Sequence, residues 1–234
     1  MSQFIVDSSF WNLFPQAKLG VVLLKDYTLN DDYQLELTNL LKESNEKALQ
    51  HLTEETFSEN DVIQIYRKAF QQFKTKKGAR SSIESLLKRV SNGKPVSNIN
   101  PLVDIYNAAS LQFALPVGAE DSDTFEGDLQ LTITEGGDDF FLIGEDDNKP
   151  TLPGELCYRD DNGAVCRCLN WRDGDRTMIT EKTKNAFLII EALDPSQFES
   201  LEKALNFIEE KSKQYLGAKT QQFILDKEHT TITI

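Results

Sequence analysis

Between Gly93 and Asp123 the chain reads GKPVSNINPLVDIYNAASLQFALPVGAEDSD, and here polar residues interrupt an otherwise apolar pattern. Asn100-Pro101 predicts a helix start, because the Asn side chain can cap free N–H groups and Pro fits the first turn. Leu102, Val103, Ile105, Tyr106, Leu111, Phe113 and Leu115 make that helix apolar on most sides, the pattern of a buried helix. Asp104 and Asn107 lie three apart, with Leu111 four further on, so the spacing puts all three on one face. A buried Asp and Asn must be hydrogen-bonded, and such a pair either fixes neighbouring backbone or faces a ligand. Asp104, near the helix start, suits the backbone of an adjoining loop. Asn107, one turn deeper, suits the ligand. Leu115-Pro116 predicts the stop, Val117-Gly118 permits close approach of backbone, and Glu120, Asp121 and Asp123 follow. Helix, stop, glycine and acids predict the wall and lip of a pocket.

Other chemistries are poorly served. The two histidines, His51 and His229, fall far from this stretch, which argues against a Ser–His–acid mechanism. Cys166 and Cys168 alternate on one strand with Cys157 opposite, but three thiols fall short of the usual four-ligand zinc pattern, so they read as small buried residues. Glu120, Asp121 and Asp123 lack the calcium-loop spacing and read as solvated acids. No metal and no cofactor are expected. The run CRCLNWRDGDRT offers Arg167, Trp171, Arg172 and Arg176, which suits stacking or phosphate contact, or equally an ion-pair network with Asp160, Asp173 and Asp175.

A chain of 234 residues with 39% apolar and 27% charged content fits one soluble globular domain over 1–234. Residues 1–92 are expected to be largely helical, and 93–234 to carry the pocket and sheet core. No apolar run is long enough to span a membrane, and the start, MSQFIVDSSFWNLFPQ, lacks the pattern of a secretory signal. An odd three cysteines favour reduced thiols and the cytoplasm. The net charge of −13 argues against general nucleic-acid binding, DNA included. That total hides an uneven distribution. Lys74 to Lys94 holds seven basic residues, including Lys76, Lys77, Arg80, Lys88 and Arg89, against the single acid Glu84. Glu120 to Asn148 holds eleven acids and no Lys or Arg. The basic island is either a solvated helix face or an RNA-binding patch.

The remaining pattern predicts an α+β fold, a mixed sheet with covering helices. Lys18–Leu24 reads as a buried strand, and Asn30 or Asp31 can cap a following helix. Further helices are expected after Ser58 and after the Ser81/Glu84 capping pair, which Gly93 closes. Residues 127–135 alternate as a strand, and Phe140–Ile143 is expected to return as its hairpin partner. Leu156–Tyr158 and Ala164–Trp171 flank an Asn162-Gly163 turn, and Lys184–Leu193 reads as a central strand. A capping box at Asp194 opens a helix ending at Gly217, and two strands close the chain.

Taken in order, RSSIESLLKRV, NPLVDIYN with its Leu-Pro turn, GDLQLTITEGG, PGELCYRD and VCRCLNWRDGD resemble the tRNA-binding and editing domain of the phenylalanyl-tRNA synthetase beta chain, here as a free-standing homologue. The resemblance covers about residues 78–194. It implies a mixed α/β domain whose pocket hydrolyses tyrosine wrongly esterified to the phenylalanine tRNA. It places the family's Asp and Asn at Asp104 and Asn107. The Thr beside that Asn is Tyr106 here, the His after the turn is Gly118, and a later Glu has only Asp173 or Asp175 as its counterpart. The implied catalytic set is Asn107, Tyr106 and Gly118. Asp104, Glu120, Arg167, Trp171 and Arg172 are expected around the substrate, and Lys76, Lys77, Arg80, Lys88 and Arg89 on the tRNA. The expected function is a trans-acting aminoacyl-tRNA hydrolase. The alternative is a non-catalytic RNA- or amino-acid-binding module that kept the fold, and a metal protein built on the acidic loop ranks below both.

Overall fold

The computed structural model describes residues 2–29 and 31–234, with Asp31 described by its backbone alone; the expected capping role of Asn30 lies outside the described residues. The elements run β1 (Gln3–Val6), α1 (Ser8–Leu13), β2 (Lys18–Lys25), α2 (Gln34–Ala48), α3 (Asp61–Ala69), α4 (Ser82–Ser91), α5 (Pro101–Phe113), β3 (Val117–Asp121) and β4 (Leu129–Ile133). They continue as β5 (Leu156–Asp160), β6 (Gly163–Arg167), β7 (Arg172–Asp173), β8 (Ala186–Ala192), α6 (Phe198–Leu216), β9 (Lys219–Leu225) and β10 (Thr231–Thr233). This is the expected α+β fold, with its strands divided between two sheets. One is mixed, in the order β10-β1-β4-β5-β6-β7, with β1 parallel to β4. The other is antiparallel, in the order β3-β8-β2-β9. Among the described residues, segment 1–92 therefore contributes β1 and β2 besides helices α1 to α4, and β2 lies inside the second sheet.

Side-chain alternation explains the layering. Leu19, Val21 and Leu23 of β2 pack with Phe187 and Ile189 of β8 against Phe4, Leu131, Tyr158 and Val165 of the mixed sheet. Val22 and Leu24 point the other way, joining Leu188 and Ile190 under Ile105 of α5 and Leu201 and Leu205 of α6. Strands buried on both faces read as continuous apolar runs, as KLGVVLL and AFLIIEA do. A third cluster, built on Leu41, Ile63, Tyr66, Leu87, Ala108 and Leu111, packs α2, α3 and α4 around the far side of α5.

Helix ends follow the expected chemistry with one change. Asn100 caps α5 through Leu102 N at 3.0 Å, Ser81 caps α4, and Asp194 forms a capping box before α6. Gly217, with φ +62°, closes α6 in the left-handed conformation that glycine adopts without strain. Helix α5 ends one residue before the expected Leu115-Pro116 stop, on Ala114 in the left-handed conformation (φ 54°). Ser110 Oγ donates to Leu115 O at 2.5 Å and holds that turn.

The hairpin expected at Phe140–Ile143 is absent, since β4 pairs with β1 and β5 instead. Residues 134–155 form a loop folded on its own acids: Thr151 Oγ1 donates to Asp138 Oδ2 at 2.6 Å, and Leu152 N to Glu155 Oε2 at 2.9 Å. Its anchor is Arg167, which corrects the expectation that Arg167 meets substrate. The residue is 2% exposed, and its guanidinium donates to both oxygens of the fully buried Glu155, from Nε at 2.6 Å. Nη1 donates to Lys149 O at 2.9 Å, and the guanidinium lies 5.4 Å from the centre of the Phe140 ring. Arg167 ties the acidic loop to β6. Arg167→Met leaves the Glu155 carboxylate buried and unpaired, and urea unfolding should register a loss of about 3–5 kcal/mol. The double change Arg167→Met/Glu155→Leu should recover most of that loss.

Candidate functional site

Beside the N-terminal part of α4, the residues Tyr106 and Asn107 of α5, Val117 and Gly118 of β3, and the segment 170–173 enclose a cavity of ≈ 370 Å³. Arg80, Ser82 and Ser85 form its opposite wall. The β6–β7 turn that closes it depends on two left-handed residues, Cys168 (φ 56°) and Asn170 (φ 48°). Asn reaches that conformation more easily than most residues. The turn sends Trp171 half-buried and Arg172 outward, with the guanidinium 5.7 Å from the indole centre.

Asn107 is 9% exposed, lines this cavity, and makes no side-chain hydrogen bond to the described residues. Its amide is free to meet a ligand. Asp104 does not line the cavity. It turns toward the loop before α5, where Oδ1 accepts from Ile99 N and Oδ2 from Asn98 Nδ2, both at 2.8 Å. It borders a separate groove of ≈ 520 Å³ with Gln34, Pro101 and Glu181. One face of a helix is wide enough for neighbours three apart to meet different surroundings, so the shared-face expectation separates here into a loop clamp and a cavity wall. Burial raises the Asp104 carboxyl above its ordinary value, while Asn98 and the backbone of Ile99 and Asn100 oppose that shift.

Glu120 is 4% exposed and does not line the cavity; its carboxylate lies near Cys166 and Asp173, with ligating atoms within 4.8 Å of one another. Burial, then the facing Asp173, pushes its pKa well above the carboxylate range, with Thr177 and Arg176 opposing. Asp173 keeps partial exposure toward the cavity; its carboxyl is also raised by burial, with Cys166 and Arg172 opposing. The Tyr106 phenol is raised by burial and then by Asp173 and Glu120. Of the two acids left open as counterparts of the family's Glu, Asp173 lines the cavity and Asp175 is exposed.

Asn170 is a site residue that motif reading passed over. A Cβ built on Gly118 would lie 1.8 Å from Asn170 Oδ1 and 2.7 Å from its Cγ. The Asn170 side chain thus fills the space that any side chain at position 118 would need. The sequence signal was an Asn at a turn after a strand; its partner, 52 positions away, carried none.

Among the basic residues, Arg80 lines the cavity, and Lys77, Lys88 and Arg89 are exposed. Lys88 Nζ lies 4.6 Å from the centre of the Phe57 ring, and Arg89 Nη2 donates to Pro95 O at 3.4 Å. Lys76 is half-buried, and burial followed by Arg167 lowers its pKa. It lies with the Arg167 group.

The pocket thus lies between a capped helix start and an edge strand, set on two packed sheets. The fold is similar to the crystal structure of an N-terminal fragment of the phenylalanyl-tRNA synthetase beta-subunit from Pyrococcus horikoshii, with a TM-score of 0.50 and 12% identity. That likeness covers 96% of this chain and 54% of the other, so the chain spans about half the length of the structure it matches. The chain belongs to the B3/4 domain family, which matches residues 65–221, a wider span than the sequence motifs covered. No curated protein matches it. Among the described residues no helix is long and apolar enough to cross a membrane.

The packing of Asn170 against Gly118 gives a direct test. Gly118→Ala should lower the melting temperature because Asn170 must leave its place. In the double variant Gly118→Ala/Asn170→Ala the added methyl should be tolerated, giving a coupling energy of about 0.5–3 kcal/mol in the double-mutant cycle. Additive losses would show that the two residues do not share that space.

Proposed function

We propose that this protein hydrolyses the ester of a mischarged aminoacyl-tRNA, acting in trans on the released tRNA. The observation that supports the reading is the Asn107 amide, without a side-chain hydrogen bond among the described residues and lining a cavity of ≈ 370 Å³ with Arg80 and Arg172. An aminoacyl ester is already activated, so no protein nucleophile is required. A site need only hold water near the carbonyl and offer a donor to the developing oxyanion. Asn107 Nδ2 can make that donation, and a neighbouring ribose hydroxyl of the substrate can carry the proton from water to the leaving oxygen. Trp171 offers a stacking face for the terminal base, and Arg80 and Arg172 offer charge for its phosphate. The exposed Lys77, Lys88 and Arg89 extend the basic surface along α4, which supplies local attraction despite the net charge of −13. The large Tyr106 ring and the nearby acids set the character of the amino-acid subsite. The reading places the activity in the cytoplasm, where charged tRNA is present, and needs no cofactor. It treats residues 1–234 as one domain, because β1, β2 and β10 complete sheets formed by the rest.

A panel of mischarged tRNAs incubated with the pure protein tests this reading. Release of one amino acid above the spontaneous rate is expected; silence across the panel would leave the binding-module alternative. With a responsive substrate, Asn107→Ala should cost about 2.7–4 kcal/mol of transition-state stabilisation at nearly unchanged melting temperature. Asp104→Ala should do the reverse, losing about 1–3 kcal/mol of stability through the unpaired Ile99 N–H while activity per folded molecule persists. Early melting of Asn107→Ala with full activity would make Asn107 scaffold. For the basic surface, the pair Lys77→Glu/Arg89→Glu should reduce the slope of log affinity against log salt by about 0.7–0.9 for each phosphate that the protein ceases to neutralise. An unchanged slope with intact folding would make the island a solvated face.

A further inference from the structure

Around Asp173, which lines the cavity, three groups from three strands converge. Glu120 comes from β3, Cys166 from β6 and Asp173 from β7, and their ligating atoms lie within 4.8 Å of one another. Cys166 and Asp173 are register partners across β6 and β7, so the sheet itself sets their separation. Glu120 and Cys166 are 4% and 2% exposed, whereas Asp173 opens onto the cavity. We propose that Glu120, Cys166 and Asp173 form a binding site for a divalent transition-metal ion of the zinc type, entered from the cavity. This does not rest on the deacylase reading.

The second observation is independent of the convergence. Oε2 of Glu120 is enclosed by protein and has no hydrogen-bond partner among the described residues. A carboxylate in that condition calls for a cation or a retained proton. The basic residues nearby do not meet the need. Arg176 is held by Asp160, with Nη2 on Oδ1 at 2.6 Å and Nη1 on Oδ2 at 2.9 Å, and Arg172 is exposed over Trp171. Glu191, fully buried, adds a further carboxyl to the same region, and its Oε2 also has no hydrogen-bond partner among the described residues. Around Glu120 the acid Asp173 outweighs the cation Arg176, whereas Asp173 itself faces the cation Arg172.

Ligand chemistry selects the ion. A thiolate with two carboxylates is a mixed soft and hard set, suited to Zn²⁺ or Co²⁺ and unsuited to Mg²⁺ or Ca²⁺, which prefer oxygen throughout. Three protein ligands with an approach from a cavity match the plan of sites that keep one position for water or substrate. Binding releases the thiol proton of Cys166 and any carboxyl protons to solvent, so charge balances as the ion enters.

Cobalt(II) chloride is the probe, added to the full-length metal-free protein. The expected result is one bound equivalent with a near-ultraviolet thiolate-to-cobalt charge-transfer band that zinc chloride displaces. Cys166→Ser should abolish the band, while Cys168→Ser, whose thiol lies 3.7 Å from Glu155, should keep it. Asp173→Asn, at the half-exposed end of the site, keeps the test valid if Cys166→Ser fails to fold. It should weaken zinc binding by more than the roughly 10–100-fold that loss of an outer partner costs a metal site. No band with folded wild-type protein, a band indifferent to Cys166→Ser, or unchanged zinc affinity in folded Asp173→Asn would overturn the proposal. None of these readouts involves tRNA, so failure here is distinguishable from failure of the hydrolase reading.

Discussion

One residue joins the layers of this fold. Glu191 lies in β8, fully buried, and its carboxylate crosses from the four-stranded sheet to accept the Tyr158 hydroxyl of the six-stranded sheet at 2.7 Å. Its backbone carbonyl accepts the Tyr66 hydroxyl of α3 at 2.6 Å. That same hydroxyl accepts from Gln197 Nε2 at 3.0 Å, and Gln197 Oε1 in turn takes the backbone N–H groups of Leu193 and Asp194. Two sheets, α3 and the start of α6 are thus held through one polar chain inside apolar surroundings. Burial pushes the Glu191 carboxyl up to about 8, with the Tyr158 and Asn170 side chains opposing the shift. Through its paired members this network fixes how the sheets face each other, while Glu191 Oε2 is left without a hydrogen-bond partner among the described residues.

That constraint places the cavity. The β8 strand pairs with β3, which carries Gly118 and Glu120, and its Glu191 side chain reaches the region closed by Asn170. Glu120 of β3 and Asp173 of β7 belong to different sheets, so their proximity depends on how the two sheets pack, and the sheets are pinned to one another nearby. The meeting of these acids is consequently a product of packing. In the chain they are 53 positions apart, and the residues between them include a 22-residue loop organised around Asp138 and Glu155. The acidic tract is not wholly free either: Asp138 accepts from Thr151 and pairs with Arg159 within the fold.

What could be read from the sequence divides along the same line. Local signals were legible. The Asn100-Pro101 start, the Ser81 cap, the Asp194 capping box and the Asn162-Gly163 turn each depend on residues a few positions apart, and each forms. The doubly buried strands were legible as apolar runs. The Phe140–Ile143 hairpin failed because its pattern, a Gly-Gly turn between apolar residues, is also that of a loop folded on its own acids. Which strand pairs with β4 is decided by distant partners, Phe4 and Tyr158 among them. Arg167 misled for a related reason. An Arg in a run with Trp and Asn suits stacking, phosphate contact or an ion pair with the run's own acids, but its position on β6 pairs it with Glu155, a residue the run does not contain. The Glu in AFLIIEA was a signal available and unused, since a charge inside a central strand requires a partner across the core.

The departures at positions 106 and 118 illustrate how a site can change in sequence without emptying in space. Judged by residue type, glycine in place of a histidine removes a polar group from the pocket. In the folded chain the space beyond Gly118 is occupied by the amide of Asn170, brought there by a turn with two left-handed residues. The polar character of that corner has therefore moved to another element. Glycine is then a requirement, because Asn170 can approach only where position 118 has no Cβ. Tyr106 follows the same logic. Its phenol lines the cavity with Asp173, and burial, followed by the charges of Asp173 and Glu120, raises its pKa. Glycine with asparagine on one side, tyrosine with buried acids on the other: each departure is half of a pair, and the second half lies on a different strand.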